Sequence, residues 1–177
     1  DNGVGTGHHG MYLGNIDSSV FEYNKYDSNM AWAINLDDDS DGNVIRYNYS
    51  TGHTTAGKGF AAIWTDSTGT CDNNIVHHNV INGDLNGIAI GDDWGDGSNG
   101  TFTGIEIYNN IYYGAAGGNG VAIYDDETVD VMRNNILYAG AGGLGLYDDG
   151  GSATLTTNTN NLYYIASGNV VLFGGSG

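Results

Sequence analysis

Residues 73–93 read NNIVHHNVINGDLNGIAIGDD, and residues 104–126 read GIEIYNNIYYGAAGGNGVAIYDD. Both stretches contain a short alternation of apolar and polar residues, an Asn, a second apolar step and a Gly-rich connection. The phrase recurs along the chain and places Asn at six equivalent positions, which are Asn24, Asn48, Asn79, Asn110, Asn135 and Asn161. Successive members lie 24, 31, 31, 25 and 26 residues apart. A period of roughly 20–50 residues predicts stacked repeats, each of which needs its neighbours to bury its apolar face.

A second apolar phrase has the same period, with members at residues 32–35, 61–64, 88–91, 121–124 and 144–147. Strict alternation predicts a strand with one buried face. Trp32 and Ile34 are expected to point inward. The residues expected outward are mostly small: Ala33, Ala62, Ala89, Ala122 and Gly145. We therefore predict an all-β fold, a single-stranded right-handed parallel β-helix (β-solenoid) of about seven coils, with its handedness taken from the general rule for parallel crossovers.

The composition fits one such domain over residues 1–177. Twenty-one acidic and four basic residues give a formal charge of −17, which disfavours nucleic acid because that binding depends on Lys and Arg at phosphates. No apolar run reaches about 18 residues, so no membrane span is expected. The chain begins at Asp1 without a signal peptide, which suggests a processed segment, or a piece of a longer solenoid. We expect an extracellular or cell-surface location, a buried thiol at Cys71, and no evident partners for the loop residues His8, His9 and His53.

The two quoted stretches resemble the repeats of right-handed parallel β-helix proteins of the pectate-lyase-like superfamily, and the resemblance extends from Gly10 to Phe173. That superfamily includes polysaccharide lyases, hydrolases and epimerases, so the resemblance implies a polysaccharide partner. The resemblance is specific for the fold and does not select a reaction. The segment Gly91-Asp92-Asp93 looks similar to the acidic pair of polygalacturonase-like hydrolases, but the Gly-His-Gly and basic motifs expected after it are missing. That hydrolase reaction is therefore disfavoured.

Equivalent residues of successive coils in a β-solenoid lie about 4.8 Å apart. The six repeated Asn residues are therefore expected to form a ladder of side-chain amides at an inward turn, with a structural role.

Acidic residues follow the inward Ile or Leu of the second phrase. The sharpest instance is Asp37-x-Asp39-x-Asp41, the spacing of the first half of a calcium loop, and Asp92 and Asp93 follow in a later coil. Carboxylates about 4 Å apart repel by about 1 kcal/mol in water and about 4 kcal/mol at an effective dielectric of about 20. Because oxygen ligands in number favour Ca²⁺, we predict structural or substrate-bridging Ca²⁺ at these five residues. A solvated acidic edge is the alternative.

A row of outward residues, most of them aromatic, is expected beside the acidic edge. Its members are Asn35, Trp64, Gly91, Tyr124, Tyr147 and Phe173. Aromatic rings on a flat sheet can stack on sugar rings while polar neighbours orient the hydroxyls. Trp64, Tyr124 and Tyr147 are therefore candidate substrate-binding residues. Stacking between neighbouring strands is the structural alternative, and we favour it for a further row of Tyr113, Tyr138 and Tyr164.

A third row, two residues before the ladder Asn, is expected to face solvent and contains Glu22, Arg46, His77, Tyr108 and Arg133. A polysaccharide lyase needs a base to take the proton α to a uronate carboxylate and a cation to neutralise that carboxylate. Arg46, His77 and Arg133 are the candidate catalytic residues, with Ca²⁺ supplying the neutralisation, and Lys58 is a further candidate. An ordinary solvated face is the alternative.

Two functions remain open on this reasoning. The first is an extracellular, calcium-associated β-helix that binds an acidic or neutral polysaccharide, with cleavage undecided. The second is a non-catalytic solenoid of an adhesin, surface layer or filament. Open solenoid ends are exposed sheet edges, which allow head-to-tail self-association.

Overall fold

The computed structural model describes residues 8–65, 69–92, 102–124, 127–148, 153–167 and 171–172. Within these ranges the regular elements are all strands. In chain order they are β1 (Met11–Gly14), β2 (Val20–Glu22), β3 (Lys25–Asp27), β4 (Ile34–Asp37), β5 (Val44–Arg46), β6 (Tyr49–Thr51), β7 (Gly59–Thr65), β8 (Ile75–His77), β9 (Val80–Asn82), β10 (Asn86–Asp92), β11 (Glu106–Tyr108), β12 (Ile111–Tyr113), β13 (Asn119–Ile123), β14 (Thr128–Arg133), β15 (Ile136–Ala139), β16 (Leu144–Asp148), β17 (Thr154–Thr159), β18 (Leu162–Ile165) and β19 (Val171–Leu172).

The strands form three sheets in which every pairing is parallel. The first sheet has the order β1-β4-β7-β10-β13-β16-β19, the second β2-β5-β8-β11-β14-β17, and the third β3-β6-β9-β12-β15-β18. Three consecutive strands therefore make one coil, and the next coil lies directly on it. The predicted parallel β-solenoid is confirmed. Sheets of seven, six and six strands give slightly fewer complete coils than the seven predicted.

The register of the first sheet differs from the predicted one at its ends. One outward row joins Tyr12, Asn35, Ala62, Ala89, Ala122 and Tyr147. The prediction that Ala33 and Gly145 end this row is wrong, because Asn35 and Tyr147 occupy those places. Both errors are register shifts of two residues. Ala33 also packs in the core cluster, so the prediction that it points outward is wrong as well. Backbone hydrogen bonds set the register, and the similarity of the repeated phrases does not report them.

Apolar side chains from all three sheets fill the interior of the solenoid. Buried members include Ile34, Ile63, Ile90 and Ile123 of the first sheet, Ile45, Val76, Ile107 and Met132 of the second, and Tyr26, Ile81, Tyr112 and Leu137 of the third. Full burial of an aliphatic or aromatic side chain contributes roughly 1.5–3 kcal/mol. Cys71 lies in the same core, as expected, and burial raises the pKa of its thiol to about 12.

The turn between the second and third sheets repeats in six coils. The residue before each ladder Asn has a φ between 54° and 58°. These residues are Tyr23, Tyr47, His78, Asn109, Asn134 and Asn160. The Asn that follows accepts a hydrogen bond at its side-chain oxygen from the backbone N–H of the equivalent Asn in the preceding coil. In the pair Asn48 and Asn79 the distance is 3.0 Å. The predicted Asn ladder is confirmed.

Candidate functional site

A pocket opens on the outward face of the first sheet. Its cavity has a volume of about 170 Å³ and is lined by His9, Tyr12, Trp32, Asn35, Asp37, Lys58 and Trp64. Pockets that enclose a drug-sized ligand measure roughly 300–1,000 Å³. The smaller cavity here suits one ring-sized group, such as a single unit of a longer polymer.

Strands β1, β4 and β7 place the pocket residues side by side. Tyr12 pairs with Asn35, and Asp37 pairs with Trp64. Asn35 and Asp37 point to the same face because side chains alternate along a strand, while Leu36 between them enters the core. Neighbouring strands lie about 4.8 Å apart. Asn35 and Asp37 therefore form the floor of the pocket, and Tyr12 and Trp64 stand on the two sides of it.

A small apolar cluster lies beside the pocket on the same outward face. It consists of Trp32, Ala62, Trp64 and Ala89, with Tyr124 packed against it. Ala62 and Ala89 are fully buried although they face away from the core, so the small side chains of this row make room for the indole rings. The prediction that Trp32 points inward is wrong. Trp32 precedes β4, and the alternation of that strand does not extend to it.

The predicted substrate-binding residues Trp64, Tyr124 and Tyr147 are brought together. The ring centroids of Trp64 and Tyr124 are 5.6 Å apart at 67°, and those of Tyr124 and Tyr147 are 6.2 Å apart at 81°. Edge-to-face contacts of this kind are favourable for aromatic pairs. The single row predicted for them is wrong, since Trp64 pairs with Asp37 and Gly91 whereas Tyr147 belongs to the row of Asn35. Phe173 lies outside the described residues.

The pocket combines an acidic and a basic group with its aromatic lining. Asp37 is 3% exposed, and its carboxylate accepts hydrogen bonds from the backbone N–H of Asp38 at 3.1 Å and from Asn35 Nδ2 at 3.4 Å. The Lys58 ammonium lies over the Trp32 ring, 6.0 Å from its centroid. A cation near an aromatic face is attracted by the ring quadrupole. The pocket therefore offers both a hydrogen-bond acceptor and a donor next to two indole side chains, of which Trp32 is 4% exposed and Trp64 9% exposed.

His9 supplies a further polar atom to the pocket. Its Nδ1 is buried and has no hydrogen-bond partner among the described residues, while its ring packs edge-on against Tyr12 at 5.2 Å. Burial, followed by the nearby Lys58 charge, lowers the pKa of His9 and thereby favours the neutral imidazole. Sequence reasoning missed His9 and Trp32 as site residues, because both precede a strand and their positions depend on how the chain enters it.

The acidic residues predicted to bind calcium separate into different environments. The side chain of Asp37 lines the pocket, whereas Asp39 Oδ1 accepts a hydrogen bond from Thr70 N at 3.1 Å and Asp41 Oδ1 accepts one from Asp72 N at 2.7 Å. These last two carboxylates connect the turn after β4 to the next coil. In the part of the chain that the structure describes, no group of three or more His, Cys, Asp or Glu side chains is placed to hold a metal ion.

Two further calcium candidates follow Gly91. The backbone of Asp92 ends β10 opposite Thr65, and Asp93 lies outside the described residues. Calcium binding stays a prediction.

The candidate catalytic residues Arg46, His77 and Arg133 lie on the second sheet and not at the pocket, whereas the further candidate Lys58 lines the pocket. The predicted row is confirmed, with Glu22, Arg46, His77, Tyr108 and Arg133 in register on successive strands. Arg46 Nε donates a hydrogen bond to Glu22 Oε2 at 2.7 Å, and this bond raises the pKa of Arg46, which disfavours a role for it as a base. The pKa of His77 is lowered, mainly by burial and to a smaller extent by the charges of His78 and Arg46. Arg133 lies over the Tyr108 ring, 5.1 Å from its centroid.

A buried polar cluster of Ser50, His53, Asp84 and Asn29 lies inside the solenoid. The expectation that His53 has no partner is wrong, because its backbone N and its Nδ1 lie 3.0 and 3.1 Å from Asp84 Oδ1. The Ser50 hydroxyl donates to Asp84 Oδ2, and Asn29 Nδ2 lies 2.9 Å from His53 Nε2. A catalytic triad needs Ser and Asp on opposite ring nitrogens. Here both meet Nδ1 and the three side chains are fully buried, so the cluster is structural.

No protein-family model matches the chain, and neither a curated protein nor a solved structure matches it. The described residues contain no helix of the length and apolar character that crossing a membrane requires.

Proposed function

We propose that the protein binds polysaccharide on the outward face of the first sheet, with the pocket of Trp32, Asn35, Asp37 and Trp64 as one sugar subsite. The observation that carries the proposal is the presence of two indole rings beside hydrogen-bonding side chains on a parallel sheet. The resemblance of the repeats to the pectate-lyase-like superfamily supports an extracellular glycan as the partner.

The chemistry of the pocket suits a sugar ring. A pyranose ring has an apolar face of C–H groups that packs against an indole, and hydroxyls at its edge that need donors and acceptors. Asn35 offers both, Asp37 accepts, and the buried His9 Nδ1 supplies a polar atom that its described neighbours do not engage. Tyr124 and Tyr147 extend the aromatic surface from Trp64 along the stack of coils, in the direction in which a polymer would run.

The charge of the protein favours a neutral polysaccharide. A chain with a formal charge of −17 repels polyanions over distances of about 8–10 Å at ordinary ionic strength. Lys58 supplies one positive charge at the pocket. An acidic polysaccharide would therefore need Ca²⁺ to bridge it to the carboxylates, and the predicted calcium sites become relevant in that case.

We propose that the protein binds polysaccharide, and the test also measures whether it cleaves the polysaccharide. Glycoside hydrolysis usually employs two carboxyl groups, and Asp37 is the carboxylate among the described lining residues. A lyase needs a base and a cation at the uronate, and His9 and Lys58 both line the pocket. The assay therefore follows release of unsaturated sugars by ultraviolet absorbance as well as binding.

Affinity electrophoresis in gels that contain neutral or acidic polysaccharides, with and without Ca²⁺, tests the proposal. We expect retardation of the native chain and its loss in Trp32→Ala and Trp64→Ala. Tyr113→Ala is the matched control, because Tyr113 is exposed and stacks on Tyr138 at 4.4 Å in the third sheet, away from the pocket. Equal migration of all variants in every gel would refute the proposal.

Scaffolding is the second candidate function. Among the described strands, β1 and β19 each have one neighbour in the first sheet, so each leaves one parallel edge that another chain can pair with. Head-to-tail contacts between such edges do not close and would give filaments. Concentration-dependent fibres in electron micrographs, together with absence of polysaccharide binding, would favour this function.

A further inference from the structure

Two histidine rings meet on the outward face of the second sheet. His77 Nδ1 and His78 Nδ1 are 2.7 Å apart, and the ring centroids are 4.9 Å apart. Consecutive residues of a strand normally point to opposite faces. His78 follows the end of β8 and has a φ of 54°, and this left-handed conformation brings its ring beside that of His77.

The left-handed position before the ladder Asn accepts several residue types. Three later coils have Asn there, namely Asn109, Asn134 and Asn160, and two earlier coils have Tyr23 and Tyr47. Asn and His are both enriched in this conformation among residues with a Cβ atom. Because the turn accepts Tyr, His and Asn, the solenoid does not need His at this exposed position.

Neighbouring side chains hold both imidazoles in place. The His77 ring stacks on the Tyr108 ring, with centroids 4.9 Å apart and an interplanar angle of 9°. It also meets the Tyr47 ring edge-on, with centroids 5.8 Å apart and an angle of 80°. His78 Nε2 lies 3.2 Å from Asn109 Nδ2, and the Tyr47 ring is 5.2 Å from His78. The two Nδ1 atoms are thus directed at each other by contacts on their far sides.

We propose that His77 and His78 form a two-imidazole site for a divalent transition-metal ion, with Cu²⁺ bound more tightly than Zn²⁺. Imidazole nitrogen suits both ions, and Cu²⁺ binds nitrogen ligands more strongly than the other divalent ions of its row. Two nitrogens that each lie about 2.0–2.1 Å from one metal are roughly 2.9–3.3 Å apart at right or tetrahedral angles. The observed 2.7 Å needs to widen by a few tenths of an ångström, and both rings need to rotate so that their Nδ1 lone pairs meet at the metal.

Asn109 acts as the partner on the opposite side of the His78 ring. A metal at Nδ1 of a neutral imidazole leaves the ring proton on Nε2. The Asn109 amide group is now 3.2 Å from that atom through its Nδ2. After the amide rotates by a half turn, its Oδ1 accepts a hydrogen bond from the Nε2–H group. Outer partners of this kind orient ligating histidines in metal sites. Water completes the coordination, since the described residues include no third His, Cys, Asp or Glu ligand at this place.

The charges around the site permit a cation. Arg46 lies beside His77 on the neighbouring strand β5. Its positive charge is paired with the Glu22 carboxylate, whose Oε2 lies 2.7 Å from Arg46 Nε. The formal charge of −17 concentrates cations near the surface as a whole.

Isothermal titration of the chain without a histidine tag, with CuCl₂ and then ZnCl₂, tests the proposal. We expect one saturable Cu²⁺ site per chain, absent in His77→Asn and in His78→Asn. His78→Asn introduces the residue that three coils already have at this turn, so it is expected to fold. Asn109→Ala should weaken binding by roughly 10-fold or more. His8→Asn, which removes an exposed histidine elsewhere, should bind as the native chain does.

Two results would overturn the proposal. One is the absence of saturable Cu²⁺ binding to the native chain, and the other is undiminished binding by His78→Asn. Circular dichroism of each variant shows whether the solenoid is intact, and a visible absorption band of bound Cu²⁺ in the native chain reports nitrogen ligation directly.

Discussion

Asn110 Oδ1 accepts two hydrogen bonds from Asn79 of the preceding coil, one from its backbone N and one from its Nδ2, each at 3.0 Å. The two residues are 31 positions apart in the sequence and both are 1% exposed. Asn79 repeats the arrangement with Asn48, at 3.0 and 3.1 Å. Each amide of the ladder thus satisfies a backbone donor that the turn would otherwise leave buried without a partner.

Replacement of Asn79 by Ala should destabilise the solenoid. It removes the acceptor for Asn48 N–H and for Asn48 Nδ2, and the donor to the Ile45 carbonyl at 2.9 Å. Leaving at least two buried groups unsatisfied at about 1–3 kcal/mol each predicts a loss of about 2–6 kcal/mol in the free energy of unfolding, measured in urea. Asn82→Ala is the control, since Asn82 is exposed and its side chain donates, among the described contacts, to the Tyr49 hydroxyl alone, at 3.3 Å. Equal losses for both variants would contradict the role of the ladder.

Replacement of Asp84 by Asn should also be costly. The buried carboxylate accepts hydrogen bonds from the Ser50 hydroxyl and from His53 N and Nδ1, and an amide would direct N–H groups at donors. We expect a loss of about 3 kcal/mol or more in the free energy of unfolding. Asp27→Asn, at an exposed carboxylate, should leave the urea midpoint nearly unchanged. A neutral effect of Asp84→Asn would show that the cluster does not stabilise the fold.

Alkaline pH should unfold the protein, because burial raises the pKa of Tyr26 from 10.0 to about 12 and that of Cys71 from 9.0 to about 12. The unfolded chain loses these protons first, so the stability they contribute is complete below about pH 9 and is lost as pH rises towards 12. Tyr26→Phe should therefore make the fall between pH 10 and 12 less steep in thermal melts. Tyr164→Phe, at an exposed ring, should leave the profile unchanged. A native profile that is flat up to pH 12 would contradict the effect of burial.

Calcium, if bound at the predicted acidic turns, should raise the melting temperature. Saturation at 100 times the dissociation constant stabilises by about 2.7 kcal/mol, which is about 5–10 °C for a chain of this size. Differential scanning calorimetry in Ca²⁺ and then in EDTA measures this difference. Asp39→Asn and Asp41→Asn should lower the melting temperature in both buffers, because their carboxylates also accept backbone hydrogen bonds. If these carboxylates bind calcium, the two variants should melt at the same temperature in Ca²⁺ and in EDTA, whereas the native chain should not. Identical melting temperatures of the native chain in both buffers would contradict the calcium site.

Much of the architecture follows from the sequence because each coil repeats the same local requirements. A ladder Asn, a left-handed residue before it and an inward apolar residue on either side return with the same period, as at Asn79 and Asn110. The pairing of residues between neighbouring strands of the second sheet, such as Arg46 with His77, could therefore be predicted residue by residue. Parallel strands of one repeat must pair with the next one, and stacked identical turns leave little freedom in register.

The tertiary structure alone decided the site. Trp32 and His9 reach the pocket through segments that precede a strand, where alternation does not determine the direction of a side chain. Asp37 and Trp64 become neighbours through backbone hydrogen bonds that shift the register by two residues from the one that phrase similarity indicates. Periodicity determines which residues repeat, because burial acts on every coil alike. The place where single side chains meet depends on the irregular segments between coils, and those differ from one coil to the next.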